Sequence, residues 1–409
     1  MKRGAAWALA LVIFFAAASG GFSELTEGQT AEADAFFSRF FEKANVVSGG
    51  VLIARGGERI YAAFYGPEDR KTKRPVDENT VFKAASVTKL ITAMGIMRLV
   101  DEGNLSLDAG LTGPGGLPIR NPRFPDAPIT LRQVMSHTSS LLSSAPYAAA
   151  PQWEQLDQKD TRYFSAYAPG TRYEYANLNG GILGSVIERA TGQSLNSFMS
   201  QALFLPLGIN AAYSAHLLPD PDRLATSYFA DDTVYMTGEK YRASDAERYD
   251  DSCDPDRHYH ASVGGLYISL AGLEKLGMVL AGDGVVGETR VLSGRSVRLM
   301  RADQAQLPDS QVTAQSPYGL CVHRFTAPDG VTWYGHQGRW EGLLTDLFVE
   351  PESETVLALV LNGVKASNNG QGIHPRAESV MTFIGPWTKD AAAVYLVSED
   401  YVVEEDGAF

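Results

Sequence analysis

The stretch Phe82-Lys83-Ala84-Ala85-Ser86-Val87-Thr88-Lys89 decides how the fold is interpreted, and an apolar run over residues 90–100 follows it. Apolar residues recur in that run near the helical period, and Gly103 provides a stop signal. The sequence therefore predicts a short β-prone segment that leads into a helix with Ser86 in its first turn. Ser86 and Lys89 are three residues apart, so they share one helix face. An ammonium group beside a hydroxyl at a helix N-terminus can activate that hydroxyl as a nucleophile.

The Ser86–Lys89 spacing also has an ordinary structural explanation. Serine commonly caps a helix, and a lysine in the first turn is commonly solvated. Ser-x-x-Lys arises by chance about once or twice in a chain of this length at average composition. The pair alone therefore does not establish catalysis, and other segments must supply its partners.

Length and charge bound the classes of protein that fit. The chain has 409 residues, 44% of them hydrophobic, which is enough for a large buried core. Its formal net charge is −13, and no basic run stands out. Nucleic acids and anionic membrane surfaces are therefore not expected partners.

The two ends of the chain have distinct compositions. Lys2 and Arg3 precede an apolar segment over residues 5–18, and small residues follow at 16–21. This pattern predicts a signal peptide over residues 1–22 and a secreted or extracytoplasmic location, in the periplasm or cell envelope. An uncleaved signal anchor is the alternative, and only then is the membrane an expected partner. Residues 389–409 are predicted to form an acidic C-terminal tail.

Cysteine and histidine usage gives no metal signature. Cys253 and Cys321 form one disulfide or remain two free thiols, and the sequence leaves both alternatives open. His258 and His260 have no third ligand in view, so no metal and no organic cofactor are expected. His137 follows a predicted helix, where a histidine is usually a capping or structural group.

Periodicity and turn signals predict the order of the elements. One domain is expected over residues 30–388, and Tyr228–His260 is predicted to be a long loop that shapes the substrate site. Consecutive late strands favour an α/β (α+β) fold, in which they share one antiparallel sheet with an N-terminal hairpin. A helical lobe over about residues 95–260 is inserted beside that sheet. The predicted helices are Thr30–Ala44, Thr130–His137, Asn179–Thr191, Leu270–Leu280 and Arg376–Ile384, and the predicted strands are Gly50–Ala54, Arg59–Tyr65, Tyr318–Phe325, Val331–Tyr334, Leu343–Glu350 and Thr355–Asn362.

Three short patterns occur in a fixed order along the chain. They are Ser86-Val87-Thr88-Lys89, Tyr175-Ala176-Asn177 and His336-Gln337-Gly338, the last on or beside a late strand. With these patterns the chain resembles the penicillin-recognising serine hydrolases, the β-lactamase and penicillin-binding protein family. It is most similar to the branch of class C β-lactamases and D-alanyl-D-alanine carboxypeptidases, which also contains esterases and D-aminopeptidases. The resemblance extends over nearly all of residues 35–386.

The resemblance implies a mechanism and the residues that perform it. Ser86 would attack a carbonyl and form an acyl-enzyme, with Lys89 between Ser86 and Tyr175. Free tyrosine and lysine titrate near ~10 and ~10.4, so each becomes a useful base only when the pair shares a proton away from water. Asn177 would orient Lys89 or the substrate amide. The main-chain N–H groups of Ser86 and Arg339 would form the oxyanion hole beside Gly338.

The third pattern departs from the family in a way that bears on substrate. The family often has Lys or His, then Thr or Ser, then Gly, whereas this chain has His336-Gln337-Gly338. The missing hydroxyl weakens the usual grip on a substrate carboxylate, and Arg339 is expected to supply positive charge.

The resemblance also implies the classes of substrate. A D-amino-acid peptide or β-lactam is the leading expectation, as for a D-alanyl-D-alanine carboxypeptidase or class C β-lactamase. An esterase or D-aminopeptidase, and a catalytically inactive binding or scaffold protein, remain as alternatives. Expected partners are a small peptide, β-lactam or ester, and peptidoglycan stays open as a larger one.

Overall fold

The computed structural model describes residues 24–112, 116–145, 162–305, 307, 318–365 and 373–388. The signal peptide expected over residues 1–22 and the tail expected over 389–409 lie outside the described residues. In these ranges no helix combines the length and the apolarity that a membrane span requires.

The described part of the chain alternates between helical and extended segments. Its α-helices are α1 (Glu27–Ala44), α2 (Val87–Asp101), α3 (Leu131–Met135), α4 (Asn177–Thr191), α5 (Leu195–Met199), α6 (Gly238–Ala246), α7 (Tyr259–Gly264), α8 (Leu270–Ala281), α9 (Gly294–Arg301) and α10 (Pro375–Ile384). Its strands are β1 (Ser48–Arg55), β2 (Glu58–Tyr65), β3 (Val81–Lys83), β4 (Ala211–Ala212), β5 (Ser227–Tyr228), β6 (Val234–Met236), β7 (Tyr267–Ser269), β8 (Val285–Val286), β9 (Thr289–Arg290), β10 (His323–Thr326), β11 (Thr332–Trp340), β12 (Leu343–Glu350) and β13 (Thr355–Asn362).

Six of these strands form one antiparallel sheet in the order β10-β11-β12-β13-β1-β2. The β1–β2 hairpin turns at Gly56 and Gly57, whose positive φ angles of 57° and 84° suit glycine. β13 pairs with β1, so that Gly50 lies opposite Val360 and the two ends of the domain meet in one sheet. The predicted α/β (α+β) class with an antiparallel sheet is therefore confirmed.

Different helices cover the two faces of this sheet. Helix α8 packs on one face, where a Cβ added at Gly277 would lie 2.3 Å from a Val356 methyl carbon. Helices α1 and α10 pack on the other face, where the rings of Phe36 and Phe383 stack with centroids 3.9 Å apart. Because both faces are covered, β1, β12 and β13 are buried along their entire length and show no polar alternation.

Helix α2 lies inside the protein rather than on its surface. Almost all of its residues are buried, which matches its apolar composition on every side. Helices α4 and α7 pack against it, and a Cβ added at Gly180 would lie 2.9 Å from Cε of Lys89. Small residues on α4 therefore bring the segment that precedes this helix up to the first turn of α2.

The polar segment Tyr228–His260 differs from its prediction as one long loop. It contains β6, α6 and the start of α7. Helix α6 buries only Gly238 and Tyr241, so its sequence carries no apolar stripe from which a helix could be inferred. Strand β5 begins just before this segment and pairs with β6.

The predicted strand Tyr318–Phe325 is shorter in the structure, where β10 begins at His323. Cys321 interrupts it with a φ of 54°, a left-handed conformation that strands do not adopt. By contrast, β11 continues beyond the predicted end at Tyr334 as far as Trp340. Its extension pairs with β12, which holds Gly335, His336, Gln337 and Gly338 in an extended conformation despite their weak strand propensity.

The question that the sequence left open concerns the two cysteines. Cys253 and Cys321 are both free thiols, the first exposed and the second buried, so the disulfide alternative is wrong. His258 is buried beside Glu188 and Asp250, with Nδ1 and Nε2 3.7 and 3.5 Å from their respective oxygens. Among the described residues no group of three or more histidine, cysteine or acidic side chains could hold a metal ion.

Candidate active site

Ser86 lies at the junction between β3 and α2. It is the N-cap residue of α2, with φ −68° and ψ −11°, and its side chain is half-buried. Ala85 before it has a φ of 46°, which is uncommon for a residue with a Cβ and makes the turn into the helix sharp. This turn sets the Ser86 hydroxyl beside the N-terminal N–H groups of a buried helix, where partial positive charge favours a developing anion.

Lys89 is fully buried, with no exposed side-chain surface. Its Nζ donates to Oγ of Ser86 at 3.1 Å and to the carbonyl oxygen of Val263 at 2.7 Å. Nζ also lies 5.3 Å from the centroid of the Tyr175 ring. The hydroxyl of Ser86 and the amine of Lys89 are therefore in direct contact, and the ring of Tyr175 lies beside that amine. A buried ammonium in direct contact with a hydroxyl is a group that can stabilise an alkoxide or exchange protons with it.

Tyr175 and Asn177 belong to the segment that leads into α4. Tyr175 is half-buried, Ala176 is the N-cap residue, and Asn177 is the first residue of the helix. The imidazole of His137 stacks on the Tyr175 ring with centroids 4.2 Å apart and planes at 29°. Asn177 is half-buried at the same helix N-terminus, two residues from the phenol.

His336 and Gly338 face the nucleophile from β11. A Cβ added at Gly338 would lie 2.2 Å from the Ala84 carbonyl oxygen and 3.1 Å from the Ser86 nitrogen, so glycine permits the close approach of this strand. Residues 336–340 lie beyond the stretch of β11 that pairs with β10. That edge of the strand is therefore turned toward the Ser86 turn rather than covered by a neighbouring strand.

His336 is held neutral by its surroundings. Burial, together with a smaller contribution from the nearby Lys89 ammonium, lowers its pKa to about 3. Its ring lies 6.1 Å from the Tyr175 ring, and its Nδ1 is 2.7 Å from the Gln337 carbonyl oxygen. His336 therefore adds no positive charge to the site.

Gln337 and Arg339 leave β11 on the opposite face of the sheet. Gln337 Nε2 donates to Oδ1 of Asp346 at 2.7 Å on β12, directly across the strand pair. Arg339 lies two residues further along, so its side chain leaves on the same face as Gln337, and it is exposed. The structure thus brings together Ser86, Lys89, Tyr175, His336 and Gly338. It directs the side chain of Arg339 away from them.

His137 is the site residue whose contact with the phenol the sequence did not indicate. Its fully buried imidazole contacts Tyr175, and Nδ1 accepts the main-chain N–H of Ala176 at 3.2 Å. A capping or structural role was predicted for it, but residue types did not indicate its partner. The one available signal was that His137-Thr138-Ser139 stands among the segments that resemble the family.

A fold of this kind with this site defines a class of protein, the serine hydrolases. The family model described as Beta-lactamase matches residues 33–380. The chain belongs to the Beta-lactamase family.

Individual relatives and structures agree with this assignment. The chain is similar to esterase EstB of Burkholderia gladioli, with 33% identity over 217 residues, 48% of this chain and 54% of that protein. It is similar to penicillin-binding protein 4* of Bacillus subtilis (strain 168), with 26% identity over 364 residues, 82% of this chain and 72% of that protein. Its fold resembles the octameric penicillin-binding protein homologue from Pyrococcus abyssi, with a TM-score of 0.66, 20% identity, and coverage of 88% of this chain and 77% of that one. The match thus spans only about half the length of the esterase.

Proposed function

We propose that this chain hydrolyses small carboxylic esters through an acyl-enzyme formed at Ser86. The observation that carries the proposal is the contact of 3.1 Å between Oγ of Ser86 and the ammonium of Lys89, which is fully buried under the Tyr175 ring. A solvated lysine in the first turn of a helix would not be buried in this way.

In the proposed reaction Oγ of Ser86 attacks the ester carbonyl. The hydroxyl proton passes to the Tyr175–Lys89 pair. The oxyanion accepts hydrogen bonds from the main-chain N–H groups of Ser86 and Arg339. Collapse of the tetrahedral intermediate breaks the bond to the alcohol, which takes the proton from the same pair. Water then attacks the acyl group on Ser86 and releases the carboxylic acid. Each half of the reaction uses one base and one oxyanion site.

We prefer an ester because of the directions in which the side chains of the His336-Gln337-Gly338 pattern point. In the family this pattern grips a substrate carboxylate. Here Gln337 is bonded to Asp346 and Arg339 is exposed on that same far face of the sheet. The residues of β11 that face Ser86 and Lys89 include His336, whose pKa is low, and Gly338, which has no side chain. A substrate without a free carboxylate suits this lining better than an anionic one.

A D-amino-acid peptide is the second candidate. It is favoured by the greater length over which the chain matches penicillin-binding protein 4*, 82% of this chain against 48% for EstB. A β-lactam belongs with this candidate because it presents an amide carbonyl to the same nucleophile.

Export from the cytoplasm is part of the proposal. Lys2, Arg3 and the apolar segment over residues 5–18 support it, since this order is typical of a signal peptide. N-terminal sequencing of the protein recovered from the cell exterior or periplasm tests it. A mature start near residue 23 is expected, and a start at Met1 in the cytoplasmic fraction contradicts it.

Hydrolysis assays on a matched substrate panel test the choice of substrate. The panel holds p-nitrophenyl butyrate, the p-nitroanilide of D-alanine, N-acetyl-D-alanyl-D-alanine and a fluorescent penicillin, each with wild-type protein and Ser86→Ala. We expect kcat/KM to be highest for the ester and to be lost in the variant. Preferred turnover of the dipeptide or penicillin contradicts the ester proposal and supports the second candidate. Equal rates with both proteins contradict the whole mechanism.

A further inference from the structure

We propose that His137 is a positioning residue that fixes Tyr175 for catalysis, an inference that rests on the proposed acyl-enzyme mechanism. One imidazole makes two contacts to one short segment. Its face stacks on the Tyr175 ring at 4.2 Å, and its Nδ1 accepts the N–H of the following residue, Ala176, at 3.2 Å. The His137 side chain thereby holds both the ring of Tyr175 and the main chain of the next residue.

The hydrogen bonds define the tautomer of His137. The N–H of Ala176 can only donate, so Nδ1 must be an acceptor and the proton lies on Nε2. Asn179 supports the same assignment, because its Nδ2 lies 2.9 Å from Nδ1 while its Oδ1 accepts the Ser139 hydroxyl at 2.7 Å. The Ser139 bond thus turns the amide so that its NH₂ group faces the imidazole.

The location of His137 requires that the ring stay uncharged. Burial, followed by the nearby Lys89 ammonium, lowers its pKa well below the usual histidine value. A cationic imidazolium against the phenol would compete with Lys89 for the role of counter-ion to Tyr175. A neutral ring instead provides a flat surface and an acceptor, and it leaves the proton exchange to Lys89 and Tyr175.

The backbone of His137 is adapted to this role. Its φ of 56° lies in the left-handed region, where a residue with a ring is rarely found. In this turn the carbonyl oxygen of His137 also accepts a hydrogen bond from the N–H of Glu174, at 2.8 Å. The residues on either side of Tyr175 are therefore both bonded to His137.

Two substitutions separate the two contacts. His137→Phe keeps a flat ring but removes the acceptor, and His137→Asn keeps an acceptor near the Nδ1 position but removes the ring. We expect each variant to lower kcat about 10- to 100-fold, because small misplacements of a catalytic group have effects of this size. We expect KM to change less than about threefold, since the proposed oxyanion donors lie on α2 and β11.

His323→Phe is the matched control. His323 is another buried imidazole, and its ring lies 6.1 Å from the ring of Tyr318, which in turn lies 5.2 Å from the His137 ring. The substitution removes a buried imidazole that is separated from His137 by the Tyr318 ring. We expect a lower melting temperature in this variant and a kcat within about twofold of wild type.

Crystal structures of the two His137 variants supply a readout that does not depend on activity. We expect the Tyr175 ring to tilt or shift by about 1 Å or more in each variant, and to stay in place in His323→Phe. An unmoved Tyr175 ring in both variants overturns the inference, and so does an unchanged kcat. A wild-type protein without hydrolytic activity would instead overturn the proposed function, and the ring positions would still decide the role of His137.

Discussion

The two faces of strand β11 carry different parts of the same short pattern. On one face, His336 and Gly338 lie against Lys89 and Ser86. On the other, Gln337 is bonded to Asp346, and the side chain of Arg339 is exposed. Three consecutive letters that look like one motif are therefore divided by strand alternation into two groups with different surroundings.

This division indicates which departures from the family concern the chemistry. Gly338, which allows the strand to approach Ser86 closely, is retained. Gln337, which stands where the family often has a hydroxyl residue, instead donates a hydrogen bond to Asp346 on the far face. Substitutions on the Ser86 face should therefore change rates. Substitutions on the far face should change stability or very little.

The largest effect is expected for Gly338→Ala on the Ser86 face. The added Cβ would lie 2.2 Å from the Ala84 carbonyl oxygen and must push the strand away from the Ser86 nitrogen. We expect kcat to fall about 10²- to 10³-fold, the range for loss of one oxyanion donor. Gly28→Ala is the matched control, because its added Cβ meets nothing closer than 3.9 Å. A Gly338→Ala protein with wild-type kcat would show that this strand does not border the reacting carbonyl.

Acid should destabilise the protein through imidazoles on and near the Ser86 face. Burial lowers the pKa of His336 to about 3 and that of His323 to about 4. Below the ordinary value near ~6.5 the unfolded chain binds protons that the folded chain does not, so the free energy of unfolding falls as pH falls. The slope is about 1.4 kcal/mol per pH unit for each such residue, between the two pKa values. Urea unfolding of wild type and of His323→Phe from pH 7 to 4 isolates one imidazole from opposing groups such as Asp346, and the variant should show the smaller slope. Equal slopes in the two proteins would contradict a neutral His323.

Asp346→Asn should stabilise the protein from the far face without changing its activity. Burial raises the pKa of Asp346 to about 7, so the folded chain retains a proton that the unfolded chain loses above ~4. The free energy of unfolding that this group contributes therefore decreases as pH rises from about 4 to 7. An asparagine can still accept from Gln337 and can donate to its amide oxygen.

Chemical unfolding at pH 8 gives the size of the Asp346 effect. The variant is expected to gain roughly 1–4 kcal/mol at that pH and less at pH 5, with kcat within about twofold. Asp303→Asn is an exposed control with no expected pH-dependent gain. Equal stabilisation of Asp346→Asn at both pH values would contradict the raised pKa of Asp346. A tenfold loss of kcat would show that this face of the sheet affects catalysis.

The smallest effect is expected for Arg339→Ala. Its side chain is exposed on the far face, while its main-chain N–H is retained in the variant. Steady-state kinetics on a neutral ester and on a substrate with a free carboxylate should both change less than about threefold, the scale of an exposed charge. A tenfold loss confined to the anionic substrate would place the guanidinium at the substrate after all.

Sequence patterns predicted the central parts of this fold because those parts carry strong local signals. The β1–β2 hairpin has an apolar run on each side of a Gly-Gly turn, and α2 is mostly apolar. Helix α6 was missed because it buries little, and β10 was predicted too long because Cys321 takes a left-handed conformation. Neither property has a signature in residue type alone.

The candidate site was predictable to a different degree for each residue. The spacing of Ser86 and Lys89 sets their contact, since three residues on a helix bring two side chains together. The direction of the Arg339 side chain depends on the register of β11, which residue types do not reveal. The contact of His137 with Tyr175 joins segments 38 positions apart in the numbering and follows only from the packing of α3 beside α4.

The most direct test of the central claim is the mass and location of the covalent intermediate. Wild-type protein is mixed with p-nitrophenyl butyrate, quenched in acid within milliseconds, and digested for peptide mass measurement. We expect the peptide that contains Ser86 to gain the mass of one butyryl group, and the corresponding peptide of Ser86→Ala to gain none. A butyryl group on another residue, or hydrolysis at the wild-type rate by Ser86→Ala, would contradict it.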